Sequence, residues 1–254
     1  MLAYRTVMEE EMKAATRGQI LELVVRHGAL MGRIADGSVG YDEAQAIIER
    51  PKPSVSMESV RTTQARRLYD IGFGGVLGCS TFEVYLDAEG KDSLEPVPQI
   101  PLWPASHTRL FGQNIWLVDG RVVEKVGLKE YCRLAGLVYS GEDDTFVAHD
   151  PNRAKSGIRW MLGQDGFRNR DRKPVDCRST HLPFEVGMDV IEGVSVYIHD
   201  STVIEGHYLD LPGSVPREDP GCVGCLGVFD GGPGLYWSWG GNDSPDVGSA
   251  SRAE

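Results

Sequence analysis

Apolar positions in the first quarter of the chain recur at the spacing of helices. One buried helix face is predicted by residues at i, i+3, i+4 and i+7 spacing: Ile20, Leu23, Val24, His27, Leu30, Met31 and Ile34. A second, short helix is predicted over 43–50, between Asp42 and Pro51. A third pattern begins near Ser56 and places Val60, Gln64, Leu68 and Ile71 on one side. The spacing therefore predicts a helical region over residues 1–72.

After Ile71 the apolar residues alternate, as they do in strands. We predict a helix over 128–137 and strands at 81–86, 114–118, 121–123, 193–198, 202–204, 228–229 and 235–239. Asp119 and Gly120 form the commonest short hairpin signal between two of these strands. The chain is therefore expected to be α+β, with the helical N-terminal region packed on a mixed, mainly antiparallel, β-rich domain over 73–254.

Composition restricts the class of protein. The chain has 254 residues, 41% of them hydrophobic and 25% charged, as in globular domains. It contains no apolar run near the roughly 20 residues of a membrane span. Its first residues are acidic where a signal peptide would be basic, which predicts a cytoplasmic protein without a membrane partner. The odd number of cysteines, at 79, 132, 177, 222 and 225, is typical of reduced thiols.

The net charge of −11 argues against nucleic acid as a partner. A nucleic-acid interpretation would rest on Arg61, Arg66 and Arg67 of the third predicted helix, but arginines on a helix usually form a solvated face. Residues 153–178 carry eight basic and three acidic residues, a net charge of +5, and we call this segment the basic island.

Three arginines of the basic island alternate along the sequence: Arg168, Arg170 and Arg172. If extended, they would share a face suited to bidentate binding of phosphate or carboxylate. The alternative is a solvated loop that balances the acidic remainder of the chain.

Other motifs have weaker chemical meaning. The glycines of 72–78 follow a helix instead of a strand, so they predict a helix end and not a dinucleotide site. Cys222 and Cys225 have the spacing of half a zinc site, but no second pair exists, so a buried structural pair and a metal site both stay open. No sequence-marked cofactor is expected, and the common hydrolase and kinase motifs are absent.

Two His-Asp pairs follow predicted strands: His149 with Asp150, and His199 with Asp200. A strand end can deliver an imidazole and a carboxylate to a loop for acid–base catalysis. Adjacent residues of a strand point to opposite faces, so the pairs are equally typical of turns.

The segment from Leu235 to Ser251 places Trp237 and Trp239 on one strand face. We expect these indoles first to anchor the strand in the core, and they could equally form a floor for a ligand. Asn242, Ser249 and Ser251 would then supply a polar rim.

The same segment, with Gly231, Pro233 and the G-S-A-S at 248–251, resembles the closing motif of a family of bacterial proteins found mainly in high-GC Gram-positive species. The family has no assigned activity. The resemblance covers about the last third of the chain and implies a shared fold there.

The sequence thus favours a small-molecule-binding protein, an enzyme of hydrolase or lyase type, that acts on a small acidic metabolite. The expected catalytic groups are His199 or His207 as acid or base, with Asp200 or Asp243 orienting it, and Arg168 or Arg170 as the anion clamp. The alternative is a non-catalytic interaction or regulatory module, in which the N-terminal helices engage a partner or a second copy.

Overall fold

The computed structural model describes residues 56–111, 114–153, 156–229 and 232–254. The residues from Met57 onwards form one compact unit. Its helices are α1 (Met57–Asp70), α2 (Phe73–Val76), α3 (Phe82–Asp87), α4 (Ala105–Phe111), α5 (Gly120–Leu134), α6 (Pro174–Thr180) and α7 (Val190–His199). Short 3₁₀ turns lie at Pro151–Arg153, Phe167–Asn169 and Ser201–Ile204. The helices predicted over 20–34 and 43–50 lie outside the described residues, so the organisation of 1–72 as one helical region stays a prediction.

The described strands form two four-stranded sheets and one short pair. They are β1 (Ile115–Asp119), β2 (Phe146–Ala148), β3 (Ile158–Gln164), β4 (Glu185–Gly187), β5 (Tyr208–Leu211), β6 (Ser214–Pro216), β7 (Cys222–Phe229), β8 (Gly232–Trp239), β9 (Val247–Ser249) and β10 (Ser251–Ala253). One sheet has the order β1-β3-β10-β4 and is antiparallel throughout. The other has the order β8-β7-β5-β9, in which only β5 and β9 are parallel, and β2 pairs with β6. The predicted α+β class with a mainly antiparallel sheet is confirmed.

Helices α1 and α7 pack on β1. The predicted face of α1 is confirmed, since Leu68 is fully buried. The Gln64 side chain reaches the outer edge of β1, where it donates to Ile115 O (2.7 Å) and accepts from Leu117 N–H (2.7 Å). His199 at the end of α7 donates from Nε2 to Leu117 O (2.9 Å). The edge of β1 is therefore hydrogen-bonded by side chains from both helices.

Three predicted strands are wrong because polar side chains cap helices at these places. Thr81 accepts a hydrogen bond from Val84 N–H and begins α3. The Asp119 carboxylate accepts from Arg121 N–H, so Gly120 begins α5 instead of a hairpin turn. Asp200 caps the 3₁₀ turn that replaces the strand predicted at 202–204. At each of these three places a side-chain oxygen accepts a hydrogen bond from a backbone N–H that has no other partner at the start of a helix. The chain therefore turns there instead of continuing as a strand.

The strand predicted at 193–198 is also wrong, because it forms most of α7. Asp189 and Glu192 form a capping box at its start, with hydrogen bonds of 2.8 and 2.9 Å. The segment from Val190 to Val196 is buried almost all round, so alternation of apolar residues does not distinguish a strand from a helix there. The predictions near 115–119, 228–229 and 235–239 are confirmed as parts of β1, β7 and β8.

Candidate anion-binding cavity

A cavity of about 180 Å³ opens where β2, β4, β10 and α6 approach one another. It is lined by Ala148, His149, Asp150, Arg178, His181, Val186, Gly187, Asp189, Pro212, Gly213 and Arg252. More than half of these residues are ionisable. Such a concentration of titratable groups in a concave space is typical of binding and catalytic sites.

Close backbone contacts hold the walls of this cavity together. His149 N–H donates to Gly213 O (2.9 Å), and Gly213 N–H donates to Met188 O (2.8 Å). A Cβ atom at Gly213 would lie 2.4 Å from Gly187 O, and one at Gly187 would lie 2.7 Å from a ring carbon of Pro212. Because neither contact leaves room for a side chain, glycine at both positions allows the loop after β5 to cross the end of β4.

Helix α6 brings Arg178 to the cavity in its last turn. Pro174 suits the first turn of this helix, since its missing N–H would have no partner there. The Nε and Nη2 atoms of Arg178 are both buried, and neither has a hydrogen-bond partner among the described residues. Burial lowers the pKa of Arg178. Withdrawing donors from water without acceptors costs free energy.

A cluster of two carboxylates and two guanidinium groups lies behind the cavity. Glu192 is fully buried, and its Oε1 accepts a hydrogen bond from Arg159 Nη2 (2.8 Å) and lies 2.5 Å from Arg252 Nε. Its Oε2 accepts from Asp189 N–H (2.9 Å), and Asp189 Oδ1 accepts from Glu192 N–H (2.8 Å). The capping box of α7 is thus also the centre of an ion-pair cluster.

The second oxygen of Asp189 is available to a ligand. Oδ2 lies 4.0 Å from Arg159 Nη2 and accepts no hydrogen bond from the described residues, while the side chain is 17% exposed. Burial, and then the neighbouring Glu192 carboxylate, raise the pKa of Asp189 above its usual range, against the opposing charges of Arg159 and Arg252. A raised pKa favours the protonated form of this carboxyl group, from which a proton could be transferred.

His149 lies at the exposed rim of the same cavity. Partial burial and the positive charge of Arg178 lower its pKa, and Asp150 acts in the opposite direction. At neutral pH the imidazole is therefore mostly uncharged, so that it can accept a proton. The prediction that the strand before His149 and Asp150 would deliver both to a loop agrees with the end of β2.

The predicted site residues of the basic island lie elsewhere, around the turn Phe167–Asn169. Arg168 forms an ion pair with Glu185, Arg170 Nε donates to Pro245 O (2.5 Å), and Arg172 donates to Asn169 and Thr180. These guanidinium groups hold the turn against its surroundings, and the member of the island that lines the cavity is a different one, Arg178.

Three further predicted residues lie close to this turn. His207 is buried, and its Nε2 donates to Asp165 O (2.8 Å). Ser251 Oγ donates to Glu185 Oε1 (2.5 Å), while Ser249 is fully buried and its carbonyl accepts from Gln164 (2.9 Å). The structure therefore brings His207, Ser249 and Ser251 near Arg168 and Arg170, as links between β3, β4, β9 and β10 and not as cavity lining.

His199 and Asp200 have structural contacts at the other end of α7. The His199 ring binds the edge of β1, and burial lowers its pKa to about 4, so it is uncharged at neutral pH. Asp200 accepts hydrogen bonds from Thr202 N–H and Oγ1 (3.1 and 2.7 Å) as the cap of the following turn. Neither residue lines the cavity.

The expectation that Trp237 and Trp239 anchor β8 in the core is wrong, because they are 48% and 68% exposed. Strands β8 and β9 lie at opposite edges of their sheet, with three strand spacings, about 14 Å, between them. The two indoles and Ser249 therefore cannot surround one small ligand. Asn242 caps a turn by accepting from Ser244 N–H (3.2 Å), and Asp243 is exposed.

The cavity residues differ in how far sequence patterns could have indicated them. Arg178 is one of eight basic residues in the basic island, and no pattern distinguishes it from the others. No sequence pattern indicates a role for Arg252. Asp189 could have been identified, because D-V-I-E at 189–192 has the spacing of a capping box, which predicts a helix start with two carboxylates close together.

The cysteine pair has separate surroundings. Cys222 Sγ donates to Asp219 (3.2 Å), whereas Cys225 is buried beside Asp210. Burial raises the pKa of both thiols, that of Cys222 to about 11. Within the described ranges no three His, Cys, Asp or Glu side chains are placed to share a metal ion. In the same ranges, every helix is too short or too polar to cross a bilayer.

Comparisons with models of protein families, with curated proteins and with solved structures found no match. The resemblance of the closing segment to a bacterial family stays a prediction.

Proposed function

We propose that this is a cytoplasmic small-molecule-binding protein that takes a small acidic metabolite into the cavity and acts on it by proton transfer, as an enzyme of hydrolase or lyase type. Arg178 holds the anionic group, Asp189 donates or accepts a proton, and His149 accepts one at the rim. The observation that carries the proposal is the cavity lining, in which Arg178 lies with Asp189, His149 and three further ionisable side chains.

The other ionisable groups support this assignment of roles. Glu192 balances Arg159 and Arg252, which keeps these two arginines fixed behind the cavity. Asp189, whose pKa is raised by burial, lines the same cavity as Arg178. An anion clamp beside a carboxyl group of raised pKa is an arrangement that suits general acid–base catalysis.

Isothermal titration calorimetry with small anions tests the binding step. A panel of acetate, lactate, pyruvate, malonate and inorganic phosphate is titrated into the full chain at pH 6.5. At least one of these anions should bind the wild type and fail to bind Arg178→Gln. Arg217→Gln is the matched control, because the Arg217 side chain is 60% exposed and far from the cavity lining.

Binding that is equal in Arg178→Gln and the control would contradict the proposal, as would an absence of binding by the whole panel. The catalytic step is tested with the anion that binds, by following its conversion by NMR between pH 5.5 and 8.5. Asp189→Asn should abolish turnover while binding persists. Turnover in Asp189→Asn with an unchanged pH profile would remove Asp189 from the mechanism.

The interaction-module alternative depends on the helix predicted over 20–34, which lies outside the described residues. No contact in the described part of the chain favours it, so it is not developed as a second function.

A further inference from the structure

Strand β8 has an outer edge that the described part of the chain covers only at its beginning. Val138 N–H donates to Pro233 O (2.9 Å), and Leu235 N–H donates to Val138 O (2.9 Å). The backbone groups of alternate residues point to the same side of a strand, so the N–H and C=O of Trp237 and the N–H of Trp239 point the same way. These three groups have no hydrogen-bond partner among the described residues.

The opposite edge of the same sheet is different. There β9 continues into an antiparallel bridge between Gly248 and Arg170. Strand edges that lack such cover are commonly protected by charged side chains or by proline. Strand β8 (Gly232–Trp239) contains no charged residue, and its one proline lies at the end that Val138 covers. The second half of β8 thus lacks both kinds of protection.

Two exposed indoles lie beside these free backbone groups. Trp237 and Trp239 share one face of β8 and are 48% and 68% exposed. The ring of Trp237 meets that of Phe146 edge-on, with 6.4 Å between the centroids, and this contact orients it. For a side chain of about 250 Å², the exposed parts are roughly 120 and 170 Å². Exposed tryptophan is enriched in the contact surfaces between proteins.

We propose that a second copy of this chain occupies this edge, by antiparallel pairing of β8 with β8 of the other copy about a two-fold axis. The free groups define the register. Because Leu235 N–H already has an acceptor, the free groups of Trp237 pair with those of Trp239 in the other copy, and the axis passes at Ser238. Trp239 O also accepts from Asn242 N–H (2.9 Å), and its second lone pair serves the new bond.

Self-complementarity favours a second copy over an unrelated peptide. In this register Trp237 of each copy lies opposite Trp239 of the other, on one face and with Cβ atoms about 4.5–5.5 Å apart. Each exposed indole therefore gains an aromatic neighbour at contact distance. Because β8 carries no charge, its pairing with itself opposes no like charges. The two four-stranded sheets continue as one across the axis.

The contact area and the charge of the chain set the strength of this association. The exposed parts of the four indoles amount to about 600 Å², whereas stable interfaces bury about 1,200–2,000 Å² in total. The net charge of −11 makes two copies repel each other. The dimer is therefore weak and reversible, with a dissociation constant in the micromolar range or above, and it is stronger in salt, which screens the repulsion.

Sedimentation equilibrium of the full chain, at about 5 to 500 µM, tests this inference. The average mass should rise with concentration from 27.9 kDa towards twice that value. Trp239→Lys removes an indole and places a charge at the edge, so it should raise the dissociation constant at least about tenfold. Val228→Lys is the matched control, because Val228 is 51% exposed but lies opposite Pro233, at the other end of β8; it should keep the dimer.

A second pair of variants tests the backbone pairing itself. Trp239→Ala and Trp239→Pro both lack the indole, but proline also lacks the N–H that points outward. Proline is tolerated in an edge strand at such a position. The dissociation constant should be at least about fivefold higher for Trp239→Pro than for Trp239→Ala, since one hydrogen bond of each exchanged pair is lost. Circular dichroism melting confirms that each variant is folded before sedimentation.

Four outcomes would overturn the inference. A mass that stays at 27.9 kDa over the whole range means that no second copy binds. An equal loss of dimer in Val228→Lys and Trp239→Lys places the contact elsewhere. Equal dissociation constants for Trp239→Pro and Trp239→Ala exclude strand pairing. A dimer that weakens between about 20 and 500 mM sodium chloride is held by ion pairs and not by the uncharged edge.

Discussion

In the ligand-free protein, Arg178 is expected to lower stability. Two of its donor atoms are buried without acceptors, and each such group costs about 1–3 kcal/mol. Methionine has an unbranched side chain that can follow the same path as the arginine stem without polar atoms. Allowing for some lost packing, Arg178→Met should raise the free energy of unfolding by roughly 2 kcal/mol.

Urea unfolding at pH 7, followed by far-ultraviolet circular dichroism in a buffer without carboxylates or phosphate, measures this change. With a slope of about 2 kcal/mol per molar urea, the midpoint should rise by about 1 M. The anion of the test panel that binds, at about 100 times its dissociation constant, should stabilise the wild type by about 2.7 kcal/mol and leave Arg178→Met unchanged.

Arg121→Met is the matched control, since the same two donor atoms of Arg121 do have a partner. Its removal leaves Asp119, which is fully buried, without a counter-ion, and should cost about 3–5 kcal/mol. If Arg178→Met is destabilised to a similar degree, Arg178 has a partner within the protein, and the inference of a ligand site is refuted.

Burial raises the pKa of Asp210 from 3.8 to about 6, so the wild type loses free energy of unfolding as the pH rises through 6 and this carboxyl group ionises. Asp210→Asn does not ionise, and its free energy of unfolding relative to the wild type should therefore increase by roughly 2–3 kcal/mol from pH 4 to pH 7.5. A difference in urea unfolding that does not change with pH would contradict this. Leu235→Ala, at a fully buried position of β8, should cost about 2–5 kcal/mol, whereas Trp239→Ala, which is 68% exposed, should cost under about 1 kcal/mol in the same assay. Equal losses in these two variants would show that the exposed indole packs in solution.

Sequence patterns were sufficient where an element has one buried and one exposed side. Helix α1 buries Leu68 and exposes its other face. Strand β1 is buried on both sides and was predicted because its apolar run is short. The patterns failed in α7, which is also buried on nearly all sides, because periodicity then does not distinguish a helix from a strand. They failed again where a single side-chain oxygen, as in Asp119, decided between a turn and a helix.

The cavity was less predictable than the fold because its residues are far apart in the sequence. Only strand pairing and the packing of helices on the sheets bring them together. Arg252 reaches Glu192 because β10 pairs with β4, and Asp189 and Arg178, which are 11 positions apart in different elements, line the same cavity. The exposure of Trp239 has a similar cause. Strand alternation shows that two residues share a face, but the packing of other elements decides whether that face is covered.

The side chains on the outer edge of β1 have a consequence for association between molecules. An exposed strand edge presents free amides and carbonyls to any extended chain, and so promotes aggregation. Here Gln64 takes up the amide of Leu117 and the carbonyl of Ile115, and His199 takes up the carbonyl of Leu117. Both side chains occupy the line along which another strand would approach. The sheet thus ends at β1 by hydrogen bonding, and this edge is closed to strand addition from a second molecule.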